Sequence, residues 1–95
     1  MDGVRMEIVH DTDRRRYLGR IDGDVVTSLD YADNGDVVSM TRTFTNPPFR
    51  GRGYAAEITA HAVAEVAAAG KNVRPTCWYV AQWFDDHPEH AALLA

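Results

Sequence analysis

Thr43-Phe44-Thr45-Asn46-Pro47-Pro48-Phe49-Arg50-Gly51-Arg52-Gly53-Tyr54-Ala55 holds the residues best suited to chemistry: a strand-like run passes through a Gly/Arg loop into an Ala-rich helix. Gly51 and Gly53 let the backbone approach a ligand closely. The amides that open a helix point outward, at the positive end of the helix dipole. Arg50 and Arg52 add formal charge. Together these features predict an anion site with phosphate as its natural occupant. The same residues also suit a plain helix start carrying two solvated arginines. The loop is not a Walker loop, since no Gly-Lys-Ser/Thr follows, and not a dinucleotide fingerprint, since Gly-x-Gly-x-x-Gly is absent.

A second candidate set is Cys77 with Tyr79 two residues further on. A thiol there can serve as a nucleophile or as a small buried hydrophobe. Tyr79 can donate a proton, or it can pack with its hydroxyl satisfied. His87 and His90, near Asp85 and Asp86, lack a third ligand at metal-binding spacing, so no metal is expected and a capping or surface role is assigned to them. His61 is expected on the exposed side of the long helix, opposite Ile58 and Val66. Arg14-Arg15-Arg16, flanked by Asp11 and Asp13, reads as a solvated loop. Trp78, Trp83 and Phe84 are expected in the core.

These groups need a frame. The chain has 95 residues and a mass of 10.6 kDa, which predicts one domain over residues 1–95. Hydrophobic residues at 45% and charged residues at 25% are ordinary globular proportions, and no apolar run approaches the roughly 20 residues of a membrane span. A net charge of -4 argues against broad nucleic-acid binding, which needs a basic field. Residues 1–53 hold eight Arg against nine acidic residues, whereas residues 54–95 hold Lys71 and Arg74 against five. An anion site therefore belongs in the first half or at the junction. Met1-Asp2-Gly3-Val4-Arg5 has no apolar leader core behind it, and the single Cys77 has no partner for an internal disulfide. Both point to a reduced, cytoplasmic protein.

Met6, Ile8 and His10 alternate with Glu7, Val9 and Asp11, which predicts a strand, and residues 17–21 predict a second. Asp22-Gly23 and Asn34-Gly35 suit hairpin turns ahead of strands over residues 25–31 and 37–45, giving an antiparallel meander. In the last of these, Val38, Met40, Arg42 and Phe44 are expected on one mostly apolar face and Val37, Ser39, Thr41, Thr43 and Thr45 on the other. A helix over residues 53–69 buries Ala55, Ile58, Ala62, Val66 and Ala69 and stops at Gly70. Residues 73–77 form a short strand that returns parallel to its predecessor, and Pro75, which lacks an amide hydrogen, makes it leave that neighbour. A final helix over residues 79–86 and a helical turn after Pro88 complete a small α/β (α+β) domain.

Arg50-Gly51-Arg52-Gly53-Tyr54-Ala55, after a strand and at the head of a helix, resembles the Arg/Gln-x-x-Gly-x-Gly/Ala signature of the GNAT acyl-CoA N-acyltransferase superfamily. The whole chain most resembles its short GNAT-like subfamily, whose Pro-x-Cys-x-Tyr-Val and His-Pro-Glu segments read here Pro75-Thr76-Cys77-Trp78-Tyr79-Val80 and His87-Pro88-Glu89. The resemblance implies a minimal GNAT fold: antiparallel meander, helix, splayed parallel strand and C-terminal helix. It implies acetyl-CoA or coenzyme A as cofactor, with the amides of Arg50, Gly51, Arg52, Gly53, Tyr54 and Ala55 on the pyrophosphate. Thr43, Phe44 and Thr45 then hold the pantetheine arm, while Cys77 and Tyr79 face the thioester. The implied activity is direct acyl transfer to an amine, from a protein or a small molecule, in a ternary complex. Two departures are visible. Residues 10–17 are too few for the two helices that follow the first strand in larger members, and Phe84 falls where those members carry a tyrosine acid. These departures support an alternative, a non-catalytic coenzyme A binding or protein-interaction module.

Overall fold

The computed structural model describes residues 5–95; the start at residues 1–4, on which the expectation of no leader rests, lies outside the described residues. Five strands form one sheet in the order β1 (Glu7–Asp11), β2 (Arg16–Ile21), β3 (Asp24–Asp33), β4 (Val37–Thr45) and β5 (Asn72–Pro75). The first four pair antiparallel, and β5 lies parallel to β4, joined to it through helix α1 (Tyr54–Ala68). Helix α2 (Trp78–Asp86) and a 3-10 turn (Pro88–Leu93) follow. The expected meander, helix, parallel strand and final helix are all present. Among the described residues, no helix is long and apolar enough to cross a membrane.

Local chemistry explains the turns. Asp22 and Gly23 both have positive φ, 52° and 86°, between the paired residues Ile21 and Asp24. That is the backbone of a two-residue hairpin whose twist matches the strands. At the next turn the Asn34 side chain accepts from the Val37 amide at 2.9 Å and Asp33 accepts from the Gly35 amide at 2.8 Å. Helix α1 ends with the Gly70 amide on the Ala67 carbonyl (3.0 Å) and the Lys71 amide on the Val66 carbonyl (3.1 Å), a Schellman closure.

Helix α1 buries Ile58, Thr59, Ala62, Val63 and Val66 against the sheet. They meet Tyr17, Leu29, Val38, Met40 and Val73, and α2 adds Val80, Trp83 and Phe84 to the same core.

One expectation about β4 is overturned. Asp30 stands opposite Arg42 and Tyr31 opposite Met40, so Thr41 is an extra residue, a β-bulge. The bulge switches the strand's phase. Val38 and Met40 are buried, yet beyond the bulge Thr43 and Thr45 pair with the buried Leu29 and Thr27 and so take the inner face. Arg42 and Phe44 go to the outer one, where the Arg42 guanidinium lies 5.4 Å from the Phe44 ring centre. The single apolar face expected for Val38, Met40, Arg42 and Phe44 does not exist.

Strand β5 is also shorter than expected. It pairs with β4 only from Val37 to Met40, and its last residue is Pro75. The Thr76 hydroxyl and the Cys77 amide both donate to the Met40 carbonyl at 2.9 Å, after which α2 carries the chain away while β4 runs on to Thr45. A wedge opens there. On its other edge β5 receives the chain's last residues: Leu94 bridges Val73, the Ala95 amide donates to the Val73 carbonyl at 2.8 Å, and Asn72 donates to the Leu93 carbonyl at 3.1 Å.

Candidate functional site

The wedge is the mouth of a cleft of about 500 Å³. One wall is the end of β4, with Thr43, Phe44 and Thr45; the floor is Gly51, Gly53, Tyr54 and Ala55; Trp78 and Tyr79 close the far side. Phe49 and Arg50 complete the rim. The strand, loop and helix residues singled out in the sequence are thus brought to one place.

The loop is built to leave its amides open. Asn46 anchors its start, donating from its amide to the Val26 carbonyl (2.8 Å) and from its side chain to the Val25 carbonyl (2.7 Å). Gly51 and Gly53 both take left-handed φ, 76° and 83°, a region that disfavours any residue with a Cβ. Gly53 is also the N-cap of α1 and has no side chain with which to satisfy the first-turn donors. The amides of Gly51, Arg52, Gly53, Tyr54 and Ala55 make no backbone hydrogen bond among the described residues. Several donors therefore converge at the positive end of a 15-residue helix.

The two arginines differ. Arg50 donates through Nε to the Thr45 carbonyl at 3.0 Å and lies 5.9 Å from the Phe44 ring centre, so it ties the loop to β4 while lining the cleft. Arg52 does not line the cleft; its guanidinium sits 5.9 Å from the ring centre of Phe49, which does.

Cys77 is the N-cap of α2, 8% exposed and behind the cleft wall rather than on it. Its sulfur lies 3.7 Å from the Thr43 hydroxyl. Burial pushes the thiol up, but the surrounding Val80 amide, Thr43 hydroxyl, and Tyr79 and Thr43 amides outweigh it and leave the thiol below its ordinary value. A helix N-terminus favours a thiolate for the same reason it favours any anion. Tyr79 lines the cleft, and burial together with the Asp86 charge holds its phenol above the ordinary value. It stays protonated at neutral pH, as a proton donor must.

Trp83 and Phe84 are buried as expected, at 5% and 4% exposure, but Trp78 is 78% exposed. As the first residue of α2 it falls at the wedge mouth, where no element covers it. His87 is committed to the fold: its Nδ1 lies 2.7 Å from the Trp83 carbonyl and its ring stacks on Trp83 at 4.1 Å.

A second group of polar residues escaped the sequence reading. Glu65, on α1, accepts from the Tyr17 hydroxyl at 3.0 Å and lies 2.9 Å from His61 Nε2 and 3.1 Å from His10 Nδ1. His61 is therefore not simply solvent-facing: its ring also meets Tyr17 edge-on at 6.0 Å. The i, i+4 spacing of His61 and Glu65 was the available signal. Burial works against the Glu65 carboxylate, but hydrogen bonds from Tyr17 and His61 and the histidine charges hold it below its ordinary 4.5. A carboxylate lowered in the fold contributes stability above its unfolded value and loses it as the pH falls through the native one. Glu65→Gln is thus expected to flatten the acid limb of urea midpoint against pH below about 4.5. An unchanged limb would show that the network contributes nothing.

A sequence model of the family described as GCN5-related N-acetyl-transferase matches residues 16–93 of the chain. That span takes in β4, the Gly/Arg loop, α1, Cys77 and Tyr79. No curated protein matches the chain.

Proposed function

The chain belongs to the GCN5-related N-acetyl-transferase family, and from that membership we propose that it binds acetyl-CoA, or a related acyl-CoA, in the cleft between β4, α1 and α2 and transfers the acyl group directly to an amine. The observation that carries this reading is the unsatisfied run of amides from Gly51 to Ala55, facing a cleft of about 500 Å³ with Arg50 on its rim. A diphosphate needs such converging donors and positive charge. Thr43, Phe44 and Thr45, on a β4 edge that β5 no longer pairs, supply the wall for an extended amide-bearing arm.

When bound, the cofactor supplies an acyl group activated as a thioester. Backbone donors on the free edge of β4 polarise a carbonyl held against them. Tyr79 is the protonated group on the cleft wall and takes the role of acid toward a departing thiolate. Phe84 has no hydroxyl and is buried in the core, so it takes no part in proton transfer. Cys77 and Thr43 sit together behind the wall and keep a polar, thiol-bearing patch beside the reacting end. The acceptor is an amine on a protein or a small molecule; the reading involves neither nucleic acid nor membrane and places the protein in a reducing, cytoplasmic setting, which suits a lone thiol.

Calorimetric titration with acetyl-CoA, with ATP as the control for generic phosphate binding, tests the cofactor, and turnover across a panel of amines tests the transfer. Saturable heat for acetyl-CoA alone, followed by acylated amine, is the expected result. Binding without turnover selects the non-catalytic coenzyme A module, and no heat at all removes the cofactor assignment.

A further inference from the structure

At the other end of α1, about 15 Å along the helix from the anion loop at 1.5 Å per residue, a smaller cavity of about 180 Å³ is lined by His10, Tyr17, Tyr31, Glu65 and Lys71. Its polar groups form an ordered chain. Glu65 Oε1 lies 3.1 Å from His10 Nδ1, and His10 Nε2 lies 2.6 Å from the Tyr31 hydroxyl. A carboxylate only accepts, so the proton of the neutral imidazole belongs on Nδ1, and Nε2 is left to accept the hydrogen of Tyr31. The imidazole is fixed in this attitude by stacking on Tyr17, with ring centres 4.1 Å apart and planes 15° from parallel.

The groups left uncommitted decide what such a cavity can do. Glu65 already faces three partners, Tyr17, His10 and His61. Asp33 is held by Lys71 at 2.8 Å. An ammonium ligand therefore finds no free carboxylate. The Tyr31 oxygen, in contrast, gives its hydrogen to an imidazole that is itself oriented by a carboxylate, and it keeps its own lone pairs. Nucleophile, base and orienting acid thus stand in the relation that activates hydroxyl nucleophiles in general.

We propose that Tyr31 is a nucleophile toward small activated carboxylic esters, with His10 as its general base and Glu65 as the positioning residue that holds the base. The Tyr31 oxygen attacks the ester carbonyl as its proton passes to His10 Nε2, and the imidazolium so formed is held at Nδ1 by Glu65. The bond from carbonyl to aryl oxygen breaks, the aryl oxide leaves with the proton from His10, and Tyr31 carries the acyl group. A water deprotonated by the same imidazole then hydrolyses that ester, releasing the acid and restoring the phenol. Burial and the Asp33 charge hold the Tyr31 phenol above its ordinary value, against smaller opposing contributions from Arg15 and Lys71, so its proton leaves during the attack and not before it. This activity shares no residue with the cleft at the head of α1.

The test treats the protein with p-nitrophenyl acetate, follows p-nitrophenolate release, and locates the acetyl group by peptide mass spectrometry. The expected label is on Tyr31, with Tyr17 unlabelled because its hydroxyl faces a carboxylate and not an imidazole. His10→Gln is expected to slow acylation by about a hundredfold or more, and Glu65→Gln by a smaller factor. The wild-type rate should rise with pH through the histidine range, a dependence absent from His10→Gln. Label only on Cys77 or Lys71, or undiminished Tyr31 acylation in folded His10→Gln, overturns the proposal. Should His10→Gln fail to fold, the wild-type map and pH profile decide alone, and an unlabelled Tyr31 overturns it.

Discussion

Reversing both loop charges, Arg50→Glu with Arg52→Glu, is expected to weaken acetyl-CoA binding by at least about a hundredfold while the fold survives. A hydrogen bond to a charged group contributes roughly 1.5–3 kcal/mol, and each 1.4 kcal/mol is about tenfold in affinity. Two such contacts replaced by repulsion exceed that threshold comfortably. The structural cost is smaller. Arg50 makes one hydrogen bond to the Thr45 carbonyl, worth about 1 kcal/mol, or a lowering of the thermal midpoint by about 4–8 °C in a domain of this size. Titration and melting of the same variant separate the two effects. The single Arg52→Glu change should weaken binding less, because Arg52 stands outside the cleft wall. Undiminished affinity in the double variant would remove the phosphate assignment.

The largest expected effect on stability is that of Leu29→Ala. Leu29 is fully buried in the middle of β3, between Tyr17 on β2 and Thr43 on β4. Truncating a buried leucine to alanine costs about 2–5 kcal/mol, because transfer and cavity terms add. A domain of this length has roughly 5–14 kcal/mol in total. A urea midpoint lowered by a large fraction, with an unchanged slope, is the expected reading. A small shift would mean that the core around Leu29 collapses to fill the space.

The parts of the fold that a reader of the sequence recovers are those with local causes. Asp22-Gly23 asks for a hairpin by its backbone preference, the 15 residues of α1 repeat their apolar positions and stop at Gly70, and Pro75 ends strand pairing by lacking a donor. The cleft follows for the same reason, since strand, glycine loop and helix start are contiguous from Thr43 to Ala55. What escapes depends on residues far apart in the chain. One inserted residue at Thr41 is invisible as composition, yet it moves Arg42 and Phe44 to the opposite face. Trp78 looks like core because tryptophan usually is, and only the splay of β5 shows that nothing lies over it. The His10, Tyr31 and Glu65 cluster joins β1, β3 and α1. Except for His61 beside Glu65, no spacing announces it.

The seat of the last residues on β5 bears on colloidal behaviour. A sheet edge with unpaired amides and carbonyls recruits strands from other molecules, which is how small β-containing domains aggregate. Here Val73 has its outer carbonyl filled by the Ala95 amide, and Leu94 lies alongside. At the opposite margin β1 carries Glu7, His10 and Asp11, whose charge and polarity discourage stacking. Trimming residues 93–95 leaves every group of the cleft in place and uncovers an apolar, hydrogen-bonding rim. For this chain, self-association and catalysis are thus governed by different ends of the sequence.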